Sequence, residues 1–366
     1  MEQWVFSASD SWFFKEARPM EAVGASRLDS LFPPPAKTVI GAIRTSIGDA
    51  LGVDWREYAA GAHPLHQIMG TPDDLAPLSF DGPYLMQDGK RLYPMPQSLL
   101  WTAGGEQTSL LPGHEAVECD LGRVRLPQKA RPLAGANPAQ DAWLTEQGLV
   151  AFLSGQPVPA SAVVRRDQLF ATEDRLGIAR DNARRVTGDG LLYQTRHVRP
   201  QPGCAMGIQV HGLSEERLPK QGVCRLGAEG RLAGWERLPA KGQPTVAPPA
   251  KIKGIQLMLL TPALFAQGWI PDGLVETEQD GCKVWEGDLC GVTLTMVCAA
   301  VGKPRREGGW DLVNKKPRDL NGLIPAGSVY FCQVKGDPRL AQQALHGQLI
   351  GQEQAWGRGK LVAGFY

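Results

Sequence analysis

Forty-three glycines and twenty-nine prolines, about a fifth of the 366 residues, limit what this chain can become. Proline fixes φ and removes a backbone donor, and glycine weakens helix and strand interiors alike. At this density the two residues cut a chain into short strands and turns. Long helices are excluded as the main element, and an α+β protein with antiparallel sheets is expected. The length suits two modest cores, or one core with large insertions. Apolar residues make up 43% of the chain, enough for globular folding, and no apolar run reaches the length of a bilayer span.

The formal net charge is only +1, so the chain has no generally basic coat and any polyanion must meet a local patch. One such patch is obvious. Residues 173–185, EDRLGIARDNARR, hold Arg175, Arg180, Arg184 and Arg185, with Arg165 and Arg166 upstream and Arg196, His197 and Arg199 downstream. Arginine's planar fork suits phosphates and stacked bases. A strand near 169–179, a turn at TGDG and a strand over 191–198 put these arginines on a projecting β-hairpin and its base. The interleaved Glu173, Asp174, Asp181 and Asp189 offer the alternative of ordinary surface pairs, although the arginines outnumber them.

Around this hairpin the chain divides as follows. WVFSA, residues 4–8, reads as a strand. After LFPPP, the residues Ile40, Ile43, Ile47 and Leu51 recur at helical spacing. Lys37, Gly41, Arg44 and Gly48 form a neighbouring stripe, either an anion contact or a solvated flank. Residues 52–160 show no sustained period and read as a loop-rich insertion. Strands follow at CAMGIQVHG and in GVCRLGAEGRLAGWERL. The Pro-containing spacer PAKGQPTVAPPAK marks a boundary. A first domain of 1–240, a linker of 241–250 and a second domain of 251–366 are expected. The second carries strands at GIQLMLL, GVTLTMVCAA, SVYFCQVK and KLVAGFY. Its helix has Asp337 as N-cap, Pro338 in the first turn, Leu340, Ala344 and Leu345 facing inward, and Gly347 as stop.

Two more segments carry local charge. KPRREGGWDLVNKKPRD holds Lys303, Arg305, Arg306, Lys315 and Lys316 around Trp310, which is either a stacking platform or a core plug. The glycine-rich end, GQEQAWGRGKLV, holds Gly357, Arg358, Gly359 and Lys360. It is not a Walker loop, because five residues separate Gly351 from Gly357 and Lys360 is followed by Leu361 and a strand. Its glycines serve either close approach to a sugar–phosphate chain or plain turn chemistry.

In combination, four ordered blocks resemble the RAMP subunits of type III-B (Cmr) CRISPR effectors that hold the 5′ end of the guide RNA. They are WFFKEARPM with SLFPPPAKTVIGAIRT; EDRLGIARDNARRVTGDGLLY; CRLGAEGRLAGW; and GGWDLVNKKPRDLNGLIPAGSVYF with HGQLIGQEQAWGRGK. The resemblance implies two ferredoxin-like, RRM-related domains, a thumb hairpin over about 170–198 and a large insertion in the first domain. It implies a non-catalytic subunit that anchors the 5′ repeat-derived tag of the CRISPR RNA and docks against the large Cas-ten-type subunit and a backbone RAMP subunit. On this reading the RNA-binding set is Lys37, Arg44, Arg175, Arg180, Arg184, Arg185, Arg196, Arg199, Lys303, Arg305, Arg306, Lys315, Lys316, Gly357, Arg358, Gly359 and Lys360.

Searches for chemistry of its own find little. His63 with His66, and His114 beside Glu115, lack a third metal ligand. The seven cysteines form no CxxC pair, which suits free thiols in a reducing cytosol. The N-terminus lacks the features of a secretory signal, so a cytoplasmic protein without metal or cofactor is expected. The alternative is a metal-independent endoribonuclease of the same superfamily, for which His197 beside Tyr193 is the acid–base candidate and His346 a weaker one.

Overall fold

The computed structural model describes residues 2–15, 27–71, 74–181, 183–184, 186–214, 217–311 and 316–366. In chain order the first half supplies β1 (Glu2–Ala8), α1 (Ala36–Ala50), β2 (Ser79–Gln87), β3 (Gln107–Cys119), β4 (Gly122–Lys129), α2 (Glu146–Leu153), β5 (Phe170–Asp181) and β6 (Val186–Pro200). The second half supplies β7 (Cys204–His211), β8 (Gln221–Arg225), β9 (Leu232–Pro239), β10 (Ile255–Leu259), β11 (Leu274–Gln279), β12 (Cys282–Leu289), β13 (Val292–Ala300), β14 (Val329–Val334), α3 (Pro338–Leu345) and β15 (Leu361–Phe365). The protein is of mixed α+β class, dominated by sheet.

Two compact units form, and each is discontinuous. Unit 1 joins residues 1–90, 166–240 and 306–321, and unit 2 joins 91–165, 241–305 and 322–366. The division at 240/241 lies in the proline-containing spacer. Residues 52–160 do not form the loop-rich insertion in a first domain that their sequence suggests. They supply β2 to the sheet of unit 1, and β3, β4 and α2 to unit 2.

In unit 1 the sheet runs β8, β9, β1, β7, β2, ending in the two-residue strand Lys90–Arg91. All the β1 neighbours are antiparallel. Alternation along β1 buries Trp4 and Phe6 on one face, and Trp4 stacks on Trp235 of β9 with ring centroids 4.4 Å apart. Helix α1 touches β2 and β8 and buries Val39, Ile40, Ile43 and Ile47 at 3.6-residue spacing. Each such side chain contributes roughly 1.5–3 kcal/mol. Gly48 is needed because a Cβ there would lie 2.7 Å from the Trp55 ring.

The sheet of unit 2 includes the order β15, β10, β14, β13, β12, and then the β4–β3 hairpin through a single parallel pairing of Lys283 with Val124. β10 and β15 are buried at every position. Two helices pack on β15: α3, which follows β14, and α2, which comes from far earlier in the chain. Gln256 of β10 ties α2 to β15, its Nε2 donating to the carbonyls of Phe152 (3.0 Å) and Phe365 (2.9 Å). A Cβ on Gly364 would lie 2.3 Å from the Leu153 carbonyl, so only glycine lets α2 come this close. Asp337 caps α3 by accepting from the Arg339 N–H at 2.8 Å. Leu340 and Ala344 face outward, with Leu340 65% exposed, and the buried positions are Ala341, Gln342 and Leu345. An eight-residue helix has room for one inward stripe, and Gln342 takes a place in it by donating to the Ala363 carbonyl.

Candidate nucleic-acid interface

β5 and β6 form a long ribbon, paired from Phe170 opposite Pro200 to Asp181 opposite Val186. The TGDG segment lies within β6, and the described turn residues are Ala183 and Arg184. Near its base the ribbon gains a third strand, Arg27–Leu28, parallel to Gln194 and Thr195. Beyond that point its strands pair with each other. Tyr193 covers Gly177, where a Cβ would meet the ring at 2.2 Å.

The base is an ion-pair lattice. Trp12 and Val198 exchange two backbone hydrogen bonds of 2.8 Å, which straps the segment after β1 along β6 and brings Asp10 to the arginines. Asp10 accepts from Arg199 Nη1 at 2.7 Å and Arg175 Nη2 at 3.0 Å, and it faces Arg231 at 3.4 Å. Glu173 accepts from Arg175 Nε at 2.7 Å and Arg199 Nε at 2.6 Å. Arg196 pairs with Asp174 at 2.8 Å and with Asp29 at 3.6 Å. Arg175 and Arg199 hold the Asp10 carboxyl down to about 2, and Arg199 above all lowers that of Glu173. Five guanidiniums (27, 175, 196, 199, 231) thus meet five carboxylates (10, 29, 173, 174, 229). Among the described residues the excess of cations counted from the hairpin alone vanishes here, because Asp10, Asp29 and Glu229 arrive from outside it against Arg27 and Arg231.

His197 is fully buried inside this base, stacked on Phe13 at 5.0 Å. Its Nδ1 faces Ser11 Oγ at 3.3 Å, and its Nε2 faces Glu229 Oε2 and Thr195 Oγ1, each at 3.2 Å. Burial above all, then Arg175 and Arg231, lowers its pKa. His63 and His66 are likewise structural, grouped around Tyr58, whose carbonyl lies 3.0 Å from His66 Nε2. No group of three or more His, Cys, Asp or Glu among the described residues could hold a metal.

Past the base the ribbon changes character. Leu176, Ile178 and Val186 are 64%, 54% and 54% exposed, and Arg184 is exposed at the turn. Arg180 lies on β5, opposite Thr187. Arg185 lies outside the described residues.

The other sequence candidates scatter. Arg44 of α1 donates to Tyr58 Oη at 2.7 Å and to the Thr71 carbonyl at 2.5 Å, bracing the fold, and Lys37 is likewise half-buried. Lys303 is exposed and Arg305 half-buried in unit 2, Arg306 and Lys316 are exposed in unit 1, and Lys315 lies outside the described residues. At the glycine-rich end turn chemistry accounts for the residues. Gly357 and Gly359 have φ of 76° and 71°, and a Cβ on Gly359 would lie 1.8 Å from the Ile350 carbonyl. The N–H groups of Gly359 and Lys360 donate inward, to the Pro262 carbonyl (3.0 Å) and Thr261 Oγ1 (2.9 Å). Arg358 is 3% exposed and pairs with Glu353 at 2.9 Å. Of the two readings of this segment, the structure shows the turn chemistry, with the backbone N–H groups of Gly359 and Lys360 turned inward and the Lys360 side chain half-buried.

Comparison with known proteins follows this geometry. The family model described as CRISPR-associated protein (Cas_Cmr3) matches residues 4–365. No curated protein matches the sequence. Among solved structures, one chain of a type III-B Cmr-beta complex bound to cognate target RNA is 16% identical, with a TM-score of 0.51 over 98% of this chain and 96% of that one. Another, from a Cmr-beta complex bound to cognate target RNA and AMPPnP, is 15% identical, with a TM-score of 0.50 over 90% of this chain and 86% of that one. At such identity these likenesses speak to fold.

Proposed function

Because this chain belongs to the Cas_Cmr3 family of CRISPR-associated proteins, we propose that it is a non-catalytic, cytoplasmic subunit of a type III-B effector. In this role it anchors the 5′ tag of the CRISPR RNA and docks the large Cas-ten-type subunit and a backbone RAMP subunit. Both sheets contain the order 4-1-3-2 of a ferredoxin-like βαββαβ unit, β9-β1-β7-β2 and β15-β10-β14-β13. We therefore read the protein as two RRM-related units with the ribbon as thumb.

The observation that carries the RNA assignment is the division of labour along the ribbon. Its base is neutralised and locked, so the part left to meet a single strand is the outer half. There Arg184 is exposed at the turn, Arg180 lies on β5, and Leu176, Ile178 and Val186 offer apolar surface on which an unstacked base can rest. The full chain, titrated with labelled tag RNA at several salt concentrations, should lose affinity by about 0.7 log unit per log salt for each phosphate neutralised. Arg180→Glu with Arg184→Glu should flatten that slope, whereas Arg358→Gln should leave it unchanged. An unaltered slope in the double variant overturns the placement. Site-specific cutting of the RNA in chelator would favour the endoribonuclease instead.

A further inference from the structure

Helix α1 packs on the sheet of unit 1 through β2 and β8. On the opposite face Val5 alternates with the buried Trp4 and Phe6 and forms a small apolar cluster with Tyr84, Met86 and Ala205. Toward β8 and β9 that face stays open, with Val223 69%, Leu232 45% and Leu238 36% exposed. A cavity of about 510 Å³ opens on it, floored by Val5, Met86, Ala205 and Leu238 and rimmed by Asp10, Asp88 and Glu236.

An RRM-related sheet that holds RNA on its open face presents aromatic rings and cations there. This cavity has three carboxylates and no cationic side chain in its lining. Asp10 already carries three arginines of the same chain. Asp88 and Glu236 have no ion-pair partner among the described residues. An apolar floor below two unneutralised carboxylates repels phosphate and complements a long aliphatic stem ending in a cation.

We infer that this cavity receives an arginine or lysine side chain from a partner polypeptide, docked across the open face of unit 1. The inference rests on the reading of the chain as an assembly subunit and names the chemistry of one contact. It does not depend on the ribbon being the RNA site, so the titration of the ribbon variants can fail while this contact stands, and the reverse.

The full chain with ¹³C-methyl-labelled methionine tests it. N-acetyl-arginine methylamide and its lysine counterpart should shift the Met86 methyl resonance saturably, and the neutral citrulline isostere should not. Asp88→Asn with Glu236→Gln, both exposed and isosteric, should weaken the arginine effect by about tenfold, the worth of a charge-assisted hydrogen bond. Equal shifts with citrulline, no shift at Met86, or displacement of the signal by a short single-stranded RNA would each overturn the inference.

Discussion

Asp10 carries three guanidiniums, and its position explains why the arginine patch behaves as structure at its base. From the sequence alone Arg175, Arg196 and Arg199 and their hairpin partners Glu173 and Asp174 were countable, but Asp10 was not, since it lies 165 residues from Arg175. Only the antiparallel bridge of Trp12 to Val198 brings it there. Asp10 is stabilising in its charged form, so its contribution is complete above about pH 4 and is lost as pH falls toward 2. His197 has the same sign at higher pH. Its folded pKa lies below the ordinary 6.5, so the folded state takes up the proton less readily than the unfolded chain. Its contribution is complete above about pH 6.5 and fades on acidification. Urea unfolding between pH 7.5 and 5.5 should show stability falling with pH in the native protein. His197→Gln, which keeps hydrogen-bonding capacity without titrating, should show a flatter profile; an equal slope would place the ring outside this linkage.

Elements with strong local signals were legible, and those with breakers were not. Asp337-Pro338 announces α3, and the apolar runs of β10, β13 and β15 need no tertiary information. β2 and β3 escaped because each contains a proline next to a glycine, Gly82-Pro83 and Pro112-Gly113, a pattern that argues against a paired strand. The fold accommodates both by shifting register, between Gly207 and Gln209 opposite β2 and between Pro112 and Ala116 within β3. α2 was hidden for another reason: its eight residues pack on a strand more than two hundred positions later. Gln256 is the polar link of that seam. Gln256→Leu leaves the Phe152 and Phe365 carbonyls without their buried donor and should cost about 1–3 kcal/mol in chemical denaturation. A cost near zero would mean that the helix holds by apolar contact alone.

At the scale of the whole molecule the chain is interleaved, not serial. The spacer near 241–250 holds one of the five points at which the chain passes between units, and a cut there would not yield two domains, because unit 2 draws on 91–165 as well as 241–305 and 322–366. Composition and periodicity reveal where a chain turns and which faces it buries, but not to which core a segment returns. Unit 2 has no helix between β10 and β13 and takes α2 on β15, so residues 91–165 cover part of the sheet that residues 251–366 build. Leu149, Phe152 and Leu153 of α2 are 0%, 4% and 0% exposed in the common core with Ile255 and Phe365. Withholding them uncovers at least three large side chains, about 1.5–3 kcal/mol each, against a typical domain stability of about 5–15 kcal/mol. Residues 241–366 expressed alone should therefore show no cooperative unfolding transition, and adding residues 91–165 in trans should restore one. Cooperative unfolding of the isolated segment would mean that its helix and strands already close a core, and that α2 is an accessory to unit 2 instead of part of it.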